Sequence, residues 1–250
     1  MVRVFTALAI MAISSCATEP IPRGQTISVG TSDRGYLHDA ALLPDRGDGY
    51  ERLRPGEGTR YGTSSLVATI ERAARAVAVA FPGGYPLRVG DLSAKRGGTH
   101  PRHRSHRAGR DADLLFFARD AGGLAARSTG WARFDGLGLS VVPGRVLAFD
   151  EARNWYLVRT LVMDPEARVK WLFCSNEIKA RLLRYAARHE PRPEAVLRAT
   201  WVLHQPSRGD SHDDHFHLRV GCSRREKSLG CDEEAPHWPW LTDPARKDDG

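Results

Sequence analysis

Two short segments of the sequence concentrate side chains that bind metal ions. They hold five of the ten histidines: His103, His106, His212, His215 and His217. The first segment also contains Asp111 and Asp113, and the second contains Asp213 and Asp214. Imidazole and carboxylate groups bind zinc well, and two histidines with one carboxylate leave a fourth position for the water molecule of a catalytic zinc site. The pattern therefore predicts a metal centre built from both segments.

Each segment leads into a predicted strand. Residues 215–220 alternate in the manner of a strand, which places His215 and His217 on the same face. Asp113 opens a second, largely apolar strand over residues 113–117, with Asp111 on the same face. We therefore expect the zinc site at the entrances of these two strands.

The loop before the second of these aspartates must fold back for the site to form. Gly109 permits such a loop, so that His106 can approach Asp113. Other interpretations stay open at this point, because a single surface histidine is rarely a ligand. The two aspartates of the second segment can equally be turn residues, and the basic loop around His103 can be a solvated phosphate-binding loop.

The rest of the chain mixes predicted helices and strands. Apolar spacing predicts a helix over residues 63–81, capped by Thr63 or Ser64, and Asp150 is a candidate cap for a second helix. Further elements are predicted at residues 86–90 and 168–173 (strands) and 178–186 and 195–203 (helices). Because the two types do not alternate regularly, the predicted class is α+β.

Composition restricts the class of protein. The 250 residues are 41% hydrophobic and 27% charged, which excludes a disordered chain and a polytopic membrane protein. Lys and Arg number 37 against 30 Asp and Glu, a net charge of +7 that suits a polyanionic partner such as a nucleic acid, an anionic membrane surface or a cell-wall polymer. Scattered basic residues without an aromatic stacking motif argue against nucleic acid.

The first residues have the layout of an export signal. Arg3 precedes an apolar run over residues 4–13, and small residues lead to Cys16. Residues 1–15 are therefore predicted to be a signal peptide of the lipoprotein type, with Cys16 as the lipid-bearing first mature residue. A plain signal peptide and a buried N-terminal strand are the alternatives. Residues 17–54 are interpreted as a tether and an irregular N-terminal segment.

The cysteines and the absent motifs narrow the chemistry further. Cys222 and Cys231 are close enough in sequence for a local disulfide, as expected in an oxidising compartment, and Cys174 is predicted to be a buried thiol. The sequence lacks Cys-x-x-Cys, Ser-x-x-Lys, Gly-x-Ser-x-Gly and His-Glu-x-x-His, so covalent serine catalysis and the usual zincin arrangement are not expected.

The two metal-binding segments resemble a known family. Residues 105–113 are similar to the Ser-His-x-x-Gly-x-Asp-x-Asp signature of the penicillin-insensitive murein endopeptidases, and His212-x-x-His215-x-His217 matches that family's second signature. The family belongs to the zinc peptidases that include lysostaphin-type enzymes, D-Ala-D-Ala peptidases and hedgehog domains. The resemblance covers residues 55–222, and it implies a hedgehog/DD-peptidase-like fold with a small, mainly antiparallel sheet flanked by helices.

The resemblance also implies a role for each site residue. His106, Asp113 and His217 would bind the zinc ion, and His103 would be an auxiliary ligand. His215 would be the base or hydrogen-bonding partner of the attacking water, and His212 would orient that water or stabilise the oxyanion. A second metal site is in doubt, because only Asp150 and Asn154 stand where some members have an Asp-x-x-His pair. His204 is an uncertain extra candidate.

The implied function is hydrolysis of peptidoglycan in the periplasm. The substrate would be the peptide cross-links, at D-alanyl–meso-diaminopimelyl bonds, attacked by water that zinc activates. A zinc D,D-carboxypeptidase or dipeptidase would need the same ligands, and a basic wall-binding lipoprotein with a structural metal is an alternative without catalysis. Residues 223–250 form a C-terminal extension, whose Trp238 and Trp240 either line a substrate groove or seal the core.

Overall fold

One mixed sheet carries both metal-binding segments. The structure is a computed structural model, and it describes residues 24–128, 130–207 and 209–241. Within these residues the strands are β1 (Ile27–Gly30), β2 (Gly35–His38), β3 (Ala41–Leu42), β4 (Arg46–Gly47), β5 (Tyr50–Arg52), β6 (Tyr61–Gly62), β7 (Leu87–Val89), β8 (Asp111–Leu115), β9 (Ala118–Arg119), β10 (Ala125–Ala126), β11 (Leu139–Val142), β12 (Arg145–Phe149), β13 (Val169–Phe173), β14 (Leu203–His204) and β15 (His215–Val220). The helices are α1 (Ser64–Ala80), α2 (Glu151–Met163), α3 (Asn176–His189), α4 (Pro193–Val202), α5 (Arg224–Ser228) and a 3₁₀ turn (Pro239–Leu241).

The largest sheet has seven strands in the order β14-β13-β15-β8-β7-β5-β4. Its pairings are antiparallel except for β13 with β14 and β5 with β7, which are parallel. A second sheet of four strands has the order β10-β9-β12-β11. The mixture of helices with mainly antiparallel sheets is the expected α+β class.

The central strands separate an apolar face from a polar one. Leu114 on β8, Leu172 on β13, and Phe216 and Leu218 on β15 are fully buried in the hydrophobic core. Because successive side chains of a strand point to opposite faces, the histidines of β15 lie on the other face. Burying one apolar face thus fixes which residues line the polar face.

Two predicted helix caps are confirmed. The Thr63 hydroxyl accepts a hydrogen bond from the Leu66 backbone N–H at 3.2 Å, and the Asp150 carboxylate accepts one from the Arg153 N–H at the start of α2. Each cap satisfies a backbone donor that the first turn of a helix leaves free. α1 ends at Ala80, as the following Pro-Gly-Gly predicts.

Two expectations about the secondary structure are wrong. Residues 17–54 are not irregular where the structure describes them, because β1 to β5 lie in this stretch and β4 and β5 extend the main sheet. These strands are two to four residues long, too short to show a period, and they form through distant partners. The strand of the first segment begins at Asp111 rather than Asp113, because its pairing with β15 starts there.

The C-terminal tryptophans cover the edge of β13. The indole N–H of Trp238 donates to the Lys170 carbonyl at 2.7 Å, and that of Trp240 donates to the Val169 carbonyl at 2.9 Å. These backbone groups have no neighbouring strand on that side, since β14 pairs only with the far end of β13. These contacts indicate that the two tryptophans seal the edge of the sheet rather than line a substrate groove.

The cysteines are arranged as expected. Cys222 and Cys231 form a disulfide, and Cys174 is a fully buried free thiol whose burial raises its pKa to about 12. Among the described residues, no helix has the length and apolar composition that crossing a bilayer requires. The predicted signal peptide and Cys16 lie outside the described residues, as does the end of the C-terminal extension.

Candidate metal centre

The pairing of β8 with β15 brings the two segments together. His217 lies directly opposite Asp113 in this pair, and Arg219 lies opposite Asp111. The loop before β8 folds back as expected: Gly109 has φ +72°, and a Cβ there would meet the Leu37 side chain at 2.7 Å. Glycine suits this position because L-residues rarely adopt its positive φ, and any Cβ would also require the Leu37 side chain to move.

His106, Asp113 and His217 converge on one point. The Asp113 Oδ1 atom lies 3.2 Å from His106 Nε2 and 3.7 Å from His217 Nδ1. His106 and Asp113 are 0% exposed and His217 is 5% exposed. His106 itself has φ +60°, a conformation that is rare for residues with a side chain and that directs its ring inward.

The buried polar atoms at this point lack hydrogen-bond partners. Both ring nitrogens of His106 and both carboxylate oxygens of Asp113 are without one, although His106 Nε2 lies 3.2 Å from Asp113 Oδ1. Leaving a buried polar group unsatisfied costs about 1–3 kcal/mol, and more for a charged one. A cation held between these atoms would remove that cost, so the residues present fit a metal ion.

Neighbouring groups orient His217 for such a role. Its Nε2 lies 2.9 Å from Asp111 Oδ1, and the carboxylate can only accept, so Nε2 carries the proton and Nδ1 faces Asp113. Burial, reinforced by nearby His106, lowers the pKa of His217 to about 3, which keeps the ring neutral. A neutral imidazole held by a carboxylate is the usual form of a metal ligand.

His215 and His212 lie beside the converging atoms. His215 Nε2 is 3.3 Å from Asp113 Oδ1, and its Nδ1 is bonded to the Asp214 carboxylate. Burial opposes the charged ring, but Asp113 and Asp214 outweigh it and raise the pKa of His215 to about 9. The His212 ring is 5.0 Å from that of His215, and burial lowers the pKa of His212.

His103 reaches the same carboxylate from the other side. Its Nε2 lies 3.4 Å from Asp113 Oδ2 and 3.1 Å from Asp91 Oδ2. Asp91 is fully buried, and the Arg102 guanidinium binds both of its oxygens at 2.7 Å. Burial alone would raise the pKa of Asp91, but hydrogen bonds from His103 and Arg102 hold it far below its usual range. Among the described residues, two groups have ligand atoms close enough together to hold an ion. One group is His103, His106 and Asp113, and the other is His212, His215 and His217.

The remaining candidates lie elsewhere. Asp150 caps α2, and the Asn154 amide bonds both backbone groups of Phe117, so these side chains support the fold. His204 is exposed and its ring contacts Trp171 at 5.0 Å, outside both metal-binding groups of the described residues. The structure therefore offers no second site at these positions.

Three residues that contact the cluster have no site role predicted from the sequence. Asp111 orients His217, Asp91 holds His103, and the Trp131 ring packs edge-on against His215 at 4.9 Å. A site role for Asp111 could have been predicted, because Asp111 shares a strand face with Asp113. Asp91 follows β7, whose pairing with β8 places it at the site; Val89-Gly90-Asp91 is weakly similar to the family, but this similarity does not indicate a role. Trp131 lies in a loop and has no local signal.

Two cavities lie near the cluster. One of about 250 Å³ is lined by His103, Trp131, His212 and His215. A larger one of about 550 Å³ is lined by Arg219 and Trp171, among other residues, and by no residue of the cluster itself. Arg219 contacts Asp111, which contacts His217, so these two side chains connect the larger cavity with the cluster.

Comparison with known proteins decides the family. The family described as penicillin-insensitive murein endopeptidase matches residues 28–240. The chain belongs to this family. A penicillin-insensitive murein endopeptidase of Haemophilus influenzae is 29% identical over 226 residues, which cover 87% of this chain and 71% of that protein. One of Escherichia coli is 28% identical over 225 residues, which cover 87% and 73%.

Membership of the murein endopeptidase family confirms the prediction made from the two histidine segments. The family match extends beyond residues 55–222 at both ends, so it includes most of β1 and the segment of Trp238. The murein endopeptidase family model thus spans the short N-terminal strands as well as the tryptophans that cover the edge of β13.

Proposed function

We propose that this chain is a zinc metallo-endopeptidase that hydrolyses the peptide cross-links of peptidoglycan, at D-alanyl–meso-diaminopimelyl bonds. The observation that carries the proposal is the convergence of His106, Asp113 and His217 on one buried point with atoms that lack partners. Family membership and the names of the relatives support peptidoglycan as the substrate. We further propose that the fold is of the hedgehog/DD-peptidase type.

The donor set favours zinc among the common metal ions. His106, Asp113 and His217 would supply two imidazole nitrogens and one carboxylate oxygen, which is the ligand pattern of catalytic zinc sites with an open position. His103 would be an auxiliary ligand. When bound, zinc would supply a Lewis acid that polarises the peptide carbonyl and acidifies a water molecule.

His215 is positioned to move the proton. Because Asp214 holds the proton of Nδ1, the Nε2 atom of a neutral ring is free to accept one from the attacking water and to pass it to the leaving amine. Asp113 is the main group that raises the pKa of His215. If Asp113 held a cation, its carboxylate would favour the charged ring less, and His215 would be closer to the neutral state that a base requires.

His212 is better suited to holding water than to stabilising an oxyanion. Its Nδ1 lies 2.8 Å from the Asp210 carbonyl, which can only accept, so the proton is on Nδ1. With its pKa lowered by burial, the ring is neutral and Nε2 is an acceptor. An acceptor can orient a water molecule, whereas an oxyanion needs a donor.

The two cavities near the cluster favour endopeptidase action. A cross-linked substrate extends from the cleaved bond in two directions; the smaller cavity is lined by His103, His212 and His215, and the larger one is reached through Arg219. A carboxypeptidase would need one side closed. The openness of the site also argues against a structural metal, since structural zinc sites have four protein ligands and no access.

The compartment and domain limits belong to the same proposal. The disulfide between Cys222 and Cys231 supports an oxidising compartment, and we propose the periplasm, with a lipid anchor at Cys16 after removal of residues 1–15. We also propose that residues 55–222 carry the zinc peptidase chemistry and that residues 223–250 are a C-terminal extension.

Digestion of purified cross-linked muropeptide dimers tests the function. We expect monomers with intact stems as the products, and we expect a chelator to abolish their formation and added zinc to restore it. Mass spectrometry of the products distinguishes the alternatives. Shortened stems on dimers that stay linked would instead show carboxypeptidase action, and undiminished hydrolysis in chelator would contradict the zinc mechanism.

A further inference from the structure

The larger cavity beside the site has a buried, unpaired positive charge at its base. Arg110 is 2% exposed. Its guanidinium donates to Ser28 Oγ at 3.0 Å and to the carbonyls of Gly30 and Asp232 at 3.3 and 3.1 Å. Among the residues that the structure describes, no carboxylate lies within ion-pair distance of it. Buried charges are normally paired, because the cost of removing them from water is high.

Two other cations line this cavity of about 550 Å³. Arg219 contributes a guanidinium whose Nε contacts Asp111, and Lys170 donates to the Glu234 carbonyl. The acidic groups of the lining are Asp33, Asp232, Glu233 and Glu234. Glu233 is bound by Lys227 at 2.8 Å, and the other three are exposed. Asp111, Glu233 and Glu226 lie near enough to favour the charged form of Arg110, but none of them forms a direct ion pair with it in the described part of the chain.

The cavity lies within reach of a substrate bound at the cluster. Arg219 follows His217 by two positions on β15, which corresponds to about 7 Å along the strand. One residue of an extended peptide spans about 3.3–3.6 Å. A group about two residues from the cleaved bond therefore reaches the mouth of the cavity, and Trp171 provides an apolar wall there.

We propose that this cavity binds a carboxylate of one stem peptide of the cross-linked substrate, with Arg110 as its counter-charge. The inference rests on the proposed function, since it assumes that the same cluster cleaves the cross-link. Stem peptides carry free carboxylates on diaminopimelate and on glutamate, and either one supplies the required chemistry. The exposed acids at the rim suit the ammonium group of the same peptide.

Amidated substrates test the proposal on the intact, zinc-loaded protein. We compare three muropeptide dimers: one with free carboxylates, one amidated at diaminopimelate and one amidated at glutamate. Amidation of the carboxylate that Arg110 binds is expected to raise KM about tenfold with little change in kcat. Calorimetry with the uncross-linked monomer, which binds without being cleaved, is expected to show the same tenfold loss of affinity.

Variants of the arginine provide the second arm. Arg110→Gln is expected to bind all three monomers equally weakly. Arg110→Lys is expected to recover part of the preference for the free carboxylate. Arg75 is an exposed arginine on α1, and Arg75→Gln is expected to behave as the wild type. If Arg110→Gln does not fold, the comparison of free and amidated substrates on the wild-type protein still tests whether the cavity binds a carboxylate.

The outcomes separate the subsite from the proposed function. Equal KM values for the three dimers and equal affinities for the three monomers would overturn the subsite while leaving the endopeptidase intact. Monomer binding that depends on one carboxylate, without cleavage of any dimer, would support the subsite and contradict the endopeptidase.

Discussion

Replacing His106 or Asp113 with alanine is expected to remove zinc and activity together. Each side chain supplies one of three proposed ligands, and both are fully buried at the point where the three converge. A metal ion contributes several kcal/mol of transition-state stabilisation, so hydrolysis of muropeptide dimers is expected to fall by about a thousandfold or more. Zinc content by elemental analysis and initial rates on dimers are the two measurements.

Matched controls separate this result from general destabilisation. His189→Ala removes an exposed histidine that stacks on Tyr185 in α3, and Asp48→Ala removes an exposed carboxylate that pairs with Arg75. Both controls are expected to keep one zinc and full activity. A His106→Ala or Asp113→Ala protein that is folded by circular dichroism and still binds zinc with wild-type affinity would show that the ligands are misassigned.

Replacing His215 with alanine is expected to reduce the rate and leave the metal in place. His215 contacts Asp113 and Asp214 but is not one of the three proposed ligands. General acid–base catalysis contributes about 10²- to 10⁴-fold, so kcat is expected to fall by that factor with zinc content unchanged. Asp214→Asn keeps the ring but weakens its orientation, and it is expected to give a smaller loss.

The pH profile gives a further readout for this residue. In the wild type, kcat/KM is expected to rise with pH as the base loses its proton. This rise is expected to be absent in His215→Ala. Full activity of His215→Ala would remove this residue from the proton-transfer step and would contradict its assignment as the base.

The sequence predicts those parts of the site that depend only on residues close together in the chain. His215 and His217 share a strand face whatever the partner strand, and the caps Thr63 and Asp150 depend only on the turn that follows them. The match of each histidine segment to a family signature is likewise local, and the family model confirms it. These features require no knowledge of the tertiary structure.

The features that the sequence does not predict depend on the order of strands in the sheet. Asp91 reaches His103 because β7 pairs with β8, and this pairing joins residues more than twenty positions apart. Strands as short as β4 cannot show a period of two, and their hydrogen bonds come from distant partners, so residues 27–52 look irregular in sequence. The unpaired charge of Arg110 is visible only when the cavity is assembled.

Anomalous diffraction at the zinc absorption edge tests the central claim most directly. Crystals of the zinc-loaded protein are expected to show one strong peak about 2.0–2.2 Å from His106, Asp113 and the Nδ1 atom of His217. Such a peak would place a single ion between segments that lie about a hundred positions apart in the chain. A peak elsewhere, or no peak in a protein that hydrolyses dimers, would contradict the account.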